Sequence, residues 1–242
     1  MIPAPAFLAN PERFMAFSRW AAPLFGAIAA ALAVAGLYLG FTAPGDYQQG
    51  LTVRIMFIHV PAAQISMFAY AALTVASFLA LVFRHTLADA AAQACAPLGA
   101  AFAFLTLITG SLWGRPMWGA WWVWDARLTS VLILFLLYVA YIALRASLDD
   151  EAKAARAAAI LALVGSINLP IIHYSVEWWN SLHQGSSIFA KGGPAMPPVF
   201  LVPLLLMSLA YLSAFGSLWL VRIRGEVWRR RAEAAALRAA RG

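Results

Sequence analysis

The chain has 242 residues, an ordinary length for one domain, but 63% are hydrophobic and only 11% are charged, with a net charge of +7. Soluble domains carry about 45–50% apolar and about 25% charged residues, so most soluble globular folds are excluded. Disorder is excluded too, because it needs low hydrophobicity.

Charges are costly in a bilayer, so the gaps between them locate candidate spans. Six uncharged windows of at least 17 residues occur, at 20–45, 55–83, 90–114, 128–144, 157–176 and 192–221. A spanning helix needs about 20 apolar residues, so each window holds one helix and none holds two. The expected fold is all-α: a single polytopic membrane domain over 1–242 with six transmembrane helices. They lie near 20–40, 58–83, 96–113, 128–145, 157–174 and 198–221. The first window is longer than the about 7–15 residues of a signal-peptide core, so it reads as a retained helix. The long unbroken runs exclude a β-barrel, which alternates with period two.

Lysine and arginine set the orientation. With six spans both termini share a side. That side collects Arg13, Arg19, Arg84, Arg145, Lys153, Arg156 and the arginines of a basic tail at 222–242, 13 basic residues in all. The other side has four: Arg54, Arg115, Arg127 and Lys191. Both termini are therefore expected in the cytoplasm, and the basic excess reports topology rather than a nucleic-acid partner.

Several chemistries are missing from the sequence. Cys95 is the only cysteine, placed by this topology in a cytoplasmic loop, so no disulfide or C-x-x-C pair exists. No C-x-x-C-H occurs for covalent haem attachment. Neither Lys153 nor Lys191 precedes Ser or Thr, so there is no Walker A loop, and hydrolase motifs are absent as well. Gly36/Gly40 and Gly110/Gly114 have the small-xxx-small spacing of close helix packing.

The outer connections are where chemistry can reside. The one from 113 to 127 reads Trp113-Gly-Arg-Pro-Met-Trp118-Gly-Ala-Trp121-Trp122-Val-Trp124-Asp125-Ala-Arg127, with five tryptophans in twelve residues. Trp178 and Trp179 join them, so seven of the ten tryptophans share one side. Pro116 suits the first turn of a short helix. At about 100° per residue, such a helix would put Trp118, Trp121, Trp122 and Asp125 on one face. Trp113, Trp124 and Arg127 would lie near the other. A simple aromatic belt would occupy both interfaces, whereas this cluster is one-sided and carries charges.

Of four histidines, His85 follows Arg84 at a cytoplasmic helix end and reads as a solvated terminal residue. His59, His173 and His183 fall at outer depth. A lone membrane histidine is usually a packing residue, but several facing a tryptophan shelf suggest one site. A ligand for that site is flat and apolar enough to stack on indoles. It accepts imidazoles as a metal does, and it carries negative groups for Arg54, Arg115 and Arg127. Haem meets all three conditions.

The stretch 113–130, WGRPMWGAWWVWDARLTS, resembles the tryptophan-rich WWD signature of the membrane proteins that handle haem in cytochrome c maturation. Within that group the chain resembles the haem exporter protein C family. RIMFIHVPAA at 54–63, SVEWWNSLHQGSS at 175–187 and the six-span size agree with it.

The resemblance implies a protein that holds haem b as a bound substrate at the periplasmic face of the bacterial inner membrane. It delivers the haem to a membrane-anchored periplasmic haem chaperone. The family's iron-ligand positions match His59 and His183. Trp113, Trp118, Trp121, Trp122, Trp124, Asp125 and Arg127 complete the haem-binding segment, and His173 has no place in the pattern. Implied partners are an ATP-binding subunit, a second membrane subunit and a small single-span protein. No catalytic residue is expected. The alternatives are a haem-translocating membrane subunit of an ABC-type exporter and a b-type electron-transfer cytochrome. No charged residue lies inside a span to line a path for the first. The second usually sets its histidine pairs deep on facing helices.

Overall fold

The computed structural model describes residues 10–183 and 196–240. Seven α-helices occupy the six expected positions: α1 (Pro11–Thr42), α2 (Met56–Phe83), α3 (Thr86–Trp118), α4 (Ala126–Ser147), α5 (Glu151–Gly165), α6 (Asn168–Trp178) and α7 (Pro198–Ala239). A short 3-10 helix, Leu51–Ile55, leads into α2. Among the described residues six segments are long and apolar enough to cross a membrane, with α5 and α6 forming one of them. The chain is an all-α polytopic membrane protein. This is the expected outcome where backbone groups have no water to bond.

Helix starts follow their capping residues. The Asn10 side chain accepts the Glu12 N–H at 2.9 Å, with Pro11 in the first turn. His85 caps α3, its Nδ1 accepting the Ala88 N–H at 3.2 Å. Its role is thus a helix cap rather than a free terminal side chain. Asp125 caps α4 and Asp150 caps α5. The α2–α3 reversal turns on Arg84, whose φ of 51° is left-handed.

The packing uses small residues. α1 lies along α7, and a Cβ added at Gly36 would meet the Met207 side chain at 2.9 Å. Ser217 donates to the Ala22 carbonyl at 2.7 Å across the same seam. The core between α2, α3, α4 and α5 centres on Tyr70 and Tyr138, edge-to-face at 5.0 Å, with Leu73, Leu134 and Ala103 fully buried around them. Cys95 lies in this core and not in a loop, because α3 begins at Thr86 rather than near 96; its thiol donates to the Ala69 carbonyl at 3.2 Å.

Two further elements differ from expectation. The fifth span breaks at Ser166 and Ile167, and the Asn168 amide just beyond the break donates to the Ser130 carbonyl at 2.8 Å. The basic tail is not a separate segment but the continuation of α7 to Ala239. There its arginines pair with acids: Arg229 with Glu226, Glu233 and Glu151, Arg230 with Glu226 and Asp89, and Arg231 with Glu12.

Candidate functional site

The Trp-rich segment does not form its own helix. α3 continues through Trp118, with Pro116 inside its last turn. Gly119 then ends it in the left-handed conformation at φ 75°, its N–H bonded to the Arg115 carbonyl at 3.0 Å. Residues 120–125 are not helical, and Asp125 starts α4. The expected helical face of Trp118, Trp121, Trp122 and Asp125 therefore does not exist. The glycine stop signal outweighs the proline start signal.

His59 is the fourth residue of α2, half-buried against α3. Its ring meets Trp113 edge-on at 5.7 Å, and Trp113 donates its indole N–H to Gln49 Oε1 at 2.9 Å. His59 Nδ1 lies 3.0 Å from Thr109 Oγ1. The Thr109 hydroxyl has one proton, and it goes to the Leu105 carbonyl at 2.6 Å. Toward the imidazole Thr109 must then accept, so Nδ1 carries the hydrogen and the Nε2 lone pair is free. Gly110 makes the close approach possible: a Cβ there would lie 3.0 Å from His59 Cε1. The Gly110 position thus has a more specific use than general helix packing.

His183 reaches the same end of the bundle from beyond α6. Its Nδ1 is 3.1 Å from Asp125 Oδ2, and its ring meets Trp118 edge-on at 5.0 Å. A carboxylate only accepts, so this Nδ1 also carries the hydrogen and again leaves Nε2 bare. Ser181 completes the bracket, donating to Asp125 Oδ2 and accepting the His183 backbone N–H at 3.1 Å. Burial lowers the His183 pKa, against the opposing pull of Asp125. For Asp125, burial acts upward but is outweighed by hydrogen bonds from Leu128 N–H, Ser181 and His183, which hold the carboxyl below its usual range.

The remaining site candidates divide. Trp121 and Trp124 are 57% and 78% exposed, and Arg115 lies over the Trp121 ring at 5.8 Å. Trp122 stands edge-on to Trp124 at 5.5 Å, its buried indole N–H unpaired among the described residues. Arg127 turns away from this group. It donates to Ser175 Oγ at 3.1 Å and to the His173 carbonyl at 3.3 Å, tying α4 to α6. Arg54 donates to the Ala43 carbonyl at 2.8 Å. The His173 ring packs edge-on against Tyr174 at 4.7 Å. Sequence reasoning missed Thr109, Gly110, Ser181 and Gln49. Only the Gly110 spacing offered a signal, since a lone threonine, serine or glutamine carries none.

Fold and site define a polytopic helical membrane protein with two oriented imidazoles set among tryptophans at one end of the bundle. The family model described as "Heme exporter protein C" matches residues 5–238. The chain belongs to this haem exporter protein C family. It is similar to the "Heme exporter protein C" of Bradyrhizobium diazoefficiens, 56% identical over 93% of this chain and 85% of the relative. The protein of that name in Escherichia coli is 48% identical over 90% of this chain and 88% of its own. A "putative cytochrome c biosynthesis ccmC-like mitochondrial protein" of Marchantia polymorpha is 42% identical over 90% of this chain and 92% of its own.

Proposed function

We propose that the chain binds haem b between His59 and His183 at the periplasmic face of the inner membrane. It then delivers the haem to a membrane-anchored periplasmic chaperone for c-type cytochrome biogenesis. The observation that carries this reading is the matching Nδ1 contact that each ring makes. Thr109 and Asp125, on different elements, each meet an Nδ1, and a ring that donates there turns its Nε2 lone pair outward, which is how metal-binding histidines are normally oriented. Iron in a porphyrin needs only two such ligands, one per face. Trp113 and Trp118 flank the imidazoles, and exposed Trp121 and Trp124 offer indole surface for the porphyrin or the chaperone. Arg127 acts as a strut between helices in this reading. Arg115 and Arg54 remain the cations for the propionates. An ATP-binding subunit, a second membrane subunit and a small single-span protein would complete the assembly.

The experiment is transfer from the haem-loaded chain, reconstituted in nanodiscs, to purified apo-chaperone. Haem should appear on the chaperone while the chain's own Soret band falls. Failure of the chain to retain haem, or a loaded chain that never yields it to the chaperone, would overturn the proposal.

Two substitutions probe the orienting groups. Asp125→Asn keeps the α4 cap on its amide oxygen and turns toward His183 an NH2 group, which only donates. Haem affinity is expected to fall about 10–100-fold, the usual cost of losing a metal ligand's supporting partner. Equilibrium titration with haem reads it. Gly110→Ala adds a methyl 3.0 Å from His59 Cε1. The ring must shift by a few tenths of an ångström, and affinity should fall about tenfold at most, with thermal stability little changed.

A further inference from the structure

A second feature lies at the opposite end of the bundle, where α3, α4 and α7 diverge. A cavity of about 280 Å³ opens there, lined by Gln93, Pro97, Tyr141, Ile142, Arg145 and Arg222. Arg145 ends the uncharged run of α4 and Arg222 ends that of α7, so the cavity sits where apolar helix gives way to charge. The two arginines differ. Arg145, its side chain 6% exposed, is neutralised by Asp89 at 2.8 Å and also donates to Gln93 at 2.6 Å. Arg222 donates its Nε–H to the Ala94 carbonyl at 3.2 Å and has no carboxylate in ion-pair range among the described residues. Most of the tail's other arginines described above are paired, so a cation left facing a cavity stands out.

We propose that this cavity binds the phosphate headgroup of an anionic phospholipid. Arg222 supplies the charge, and Gln93 and Tyr141 supply polar atoms beside it. Arg145, locked by Asp89, forms a fixed positive wall. The apolar side of the lining favours a lipid over a free anion. Ile142 continues into exposed Val139 and Leu136, which three-residue spacing sets along one face of α4. An acyl chain hanging from the cavity would lie on that strip. Basic pockets between transmembrane helices are known to take such headgroups. This inference is independent of the haem reading.

The test is native mass spectrometry of the full chain released from mixed micelles containing phosphatidylglycerol and phosphatidylcholine in equal amounts. One phosphatidylglycerol per chain should be retained in preference to phosphatidylcholine. Arg222→Gln should reduce that preference about fivefold, the worth of one arginine near an anionic lipid. Ile142→Trp, which fills the cavity without touching charge, should reduce it as well. Arg224→Gln, a neighbouring arginine outside the cavity, should leave it intact. Equal retention of both lipids, or equal losses in Arg222→Gln and Arg224→Gln, would overturn the proposal. So would displacement of the lipid by millimolar inorganic phosphate, which identifies a free-anion site instead.

Discussion

A chain carrying both His59→Ala and His183→Ala is expected to lose the Soret band of bound haem entirely, while its expression and helix content stay unchanged. Neither ring is part of the central core, so removing both deletes ligands without opening the Tyr70–Tyr138 region. The single variants should differ from each other. His59 stands on a continuous helix with its ring fixed by Thr109 and Trp113. His183 stands beyond the end of α6 and is held by side chains alone, those of Asp125, Ser181 and Trp118. His183→Ala should therefore leave haem attached through His59 with an altered spectrum that added imidazole restores. An unchanged Soret band in the double variant would refute the ligand assignment.

The same geometry fixes a pH dependence. Protonation of Nε2 competes with iron, and burial places the His183 pKa below the ordinary imidazole value of 6.5. The folded state thus prefers the neutral ring. Its contribution to stability is complete above the free imidazole range and declines as pH falls through the lowered native value. Haem should stay bound through pH 6.5 and be released only on further acidification, as followed by absorbance. Release that begins above pH 7 would contradict this.

Much of this site was readable from residue types, and the reason is physical. Charges are so costly in hydrocarbon that their gaps mark six helices directly, and tryptophan is rare enough that five in twelve residues signal a surface. His59, His173 and His183 could be grouped at outer depth in the same way, but only the family resemblance singled out His59 and His183. What could not be read is how a chain end is steered. Pro116 and Gly119 give competing local signals three residues apart. Only the full hydrogen-bond pattern shows α3 running on to Trp118 with Gly119 as its stop. Likewise, Arg127 looked like a cation for a ligand because it is one of only four basic residues on the outer side. As the second residue of α4, it instead points its side chain to α6 and meets Ser175. Cys95 was misplaced because the span was started near 96, well inside an uncharged window that opens at 90, whereas α3 begins even before Asp89. A charge inside a helix need not mark its end when a partner is waiting.

Asp89 is that case, and its removal is expected to give the largest loss of stability. Its carboxylate takes Arg145 at 2.8 Å on one oxygen and Arg230 at 2.6 Å on the other, joining α3, α4 and α7. The Arg145 side chain is 6% exposed and that of Asp89 18%, so this is a largely buried charge set. Breaking such a pair from one side typically costs about 3–5 kcal/mol, because the remaining charge is left uncompensated. Asp89→Ala should lower stability by about that much in thermal unfolding of the detergent-solubilised chain. Adding Arg145→Leu should recover most of the loss, since an apolar pairing removes the stranded charge. The pair Lys153–Asp150 supplies the contrast. Its side chains are 80% and 47% exposed, and Lys153→Ala should leave the unfolding temperature essentially unchanged. A loss of less than about 1 kcal/mol in Asp89→Ala would class the cluster with such surface pairs. Asp89 and Trp113 are separated by about 36 Å of α3 at 1.5 Å per residue. Any Asp89→Ala chain that folds should therefore bind haem with an unshifted Soret maximum. That outcome would separate the charged clamp, which holds the helices together at one end, from the imidazole pair at the other.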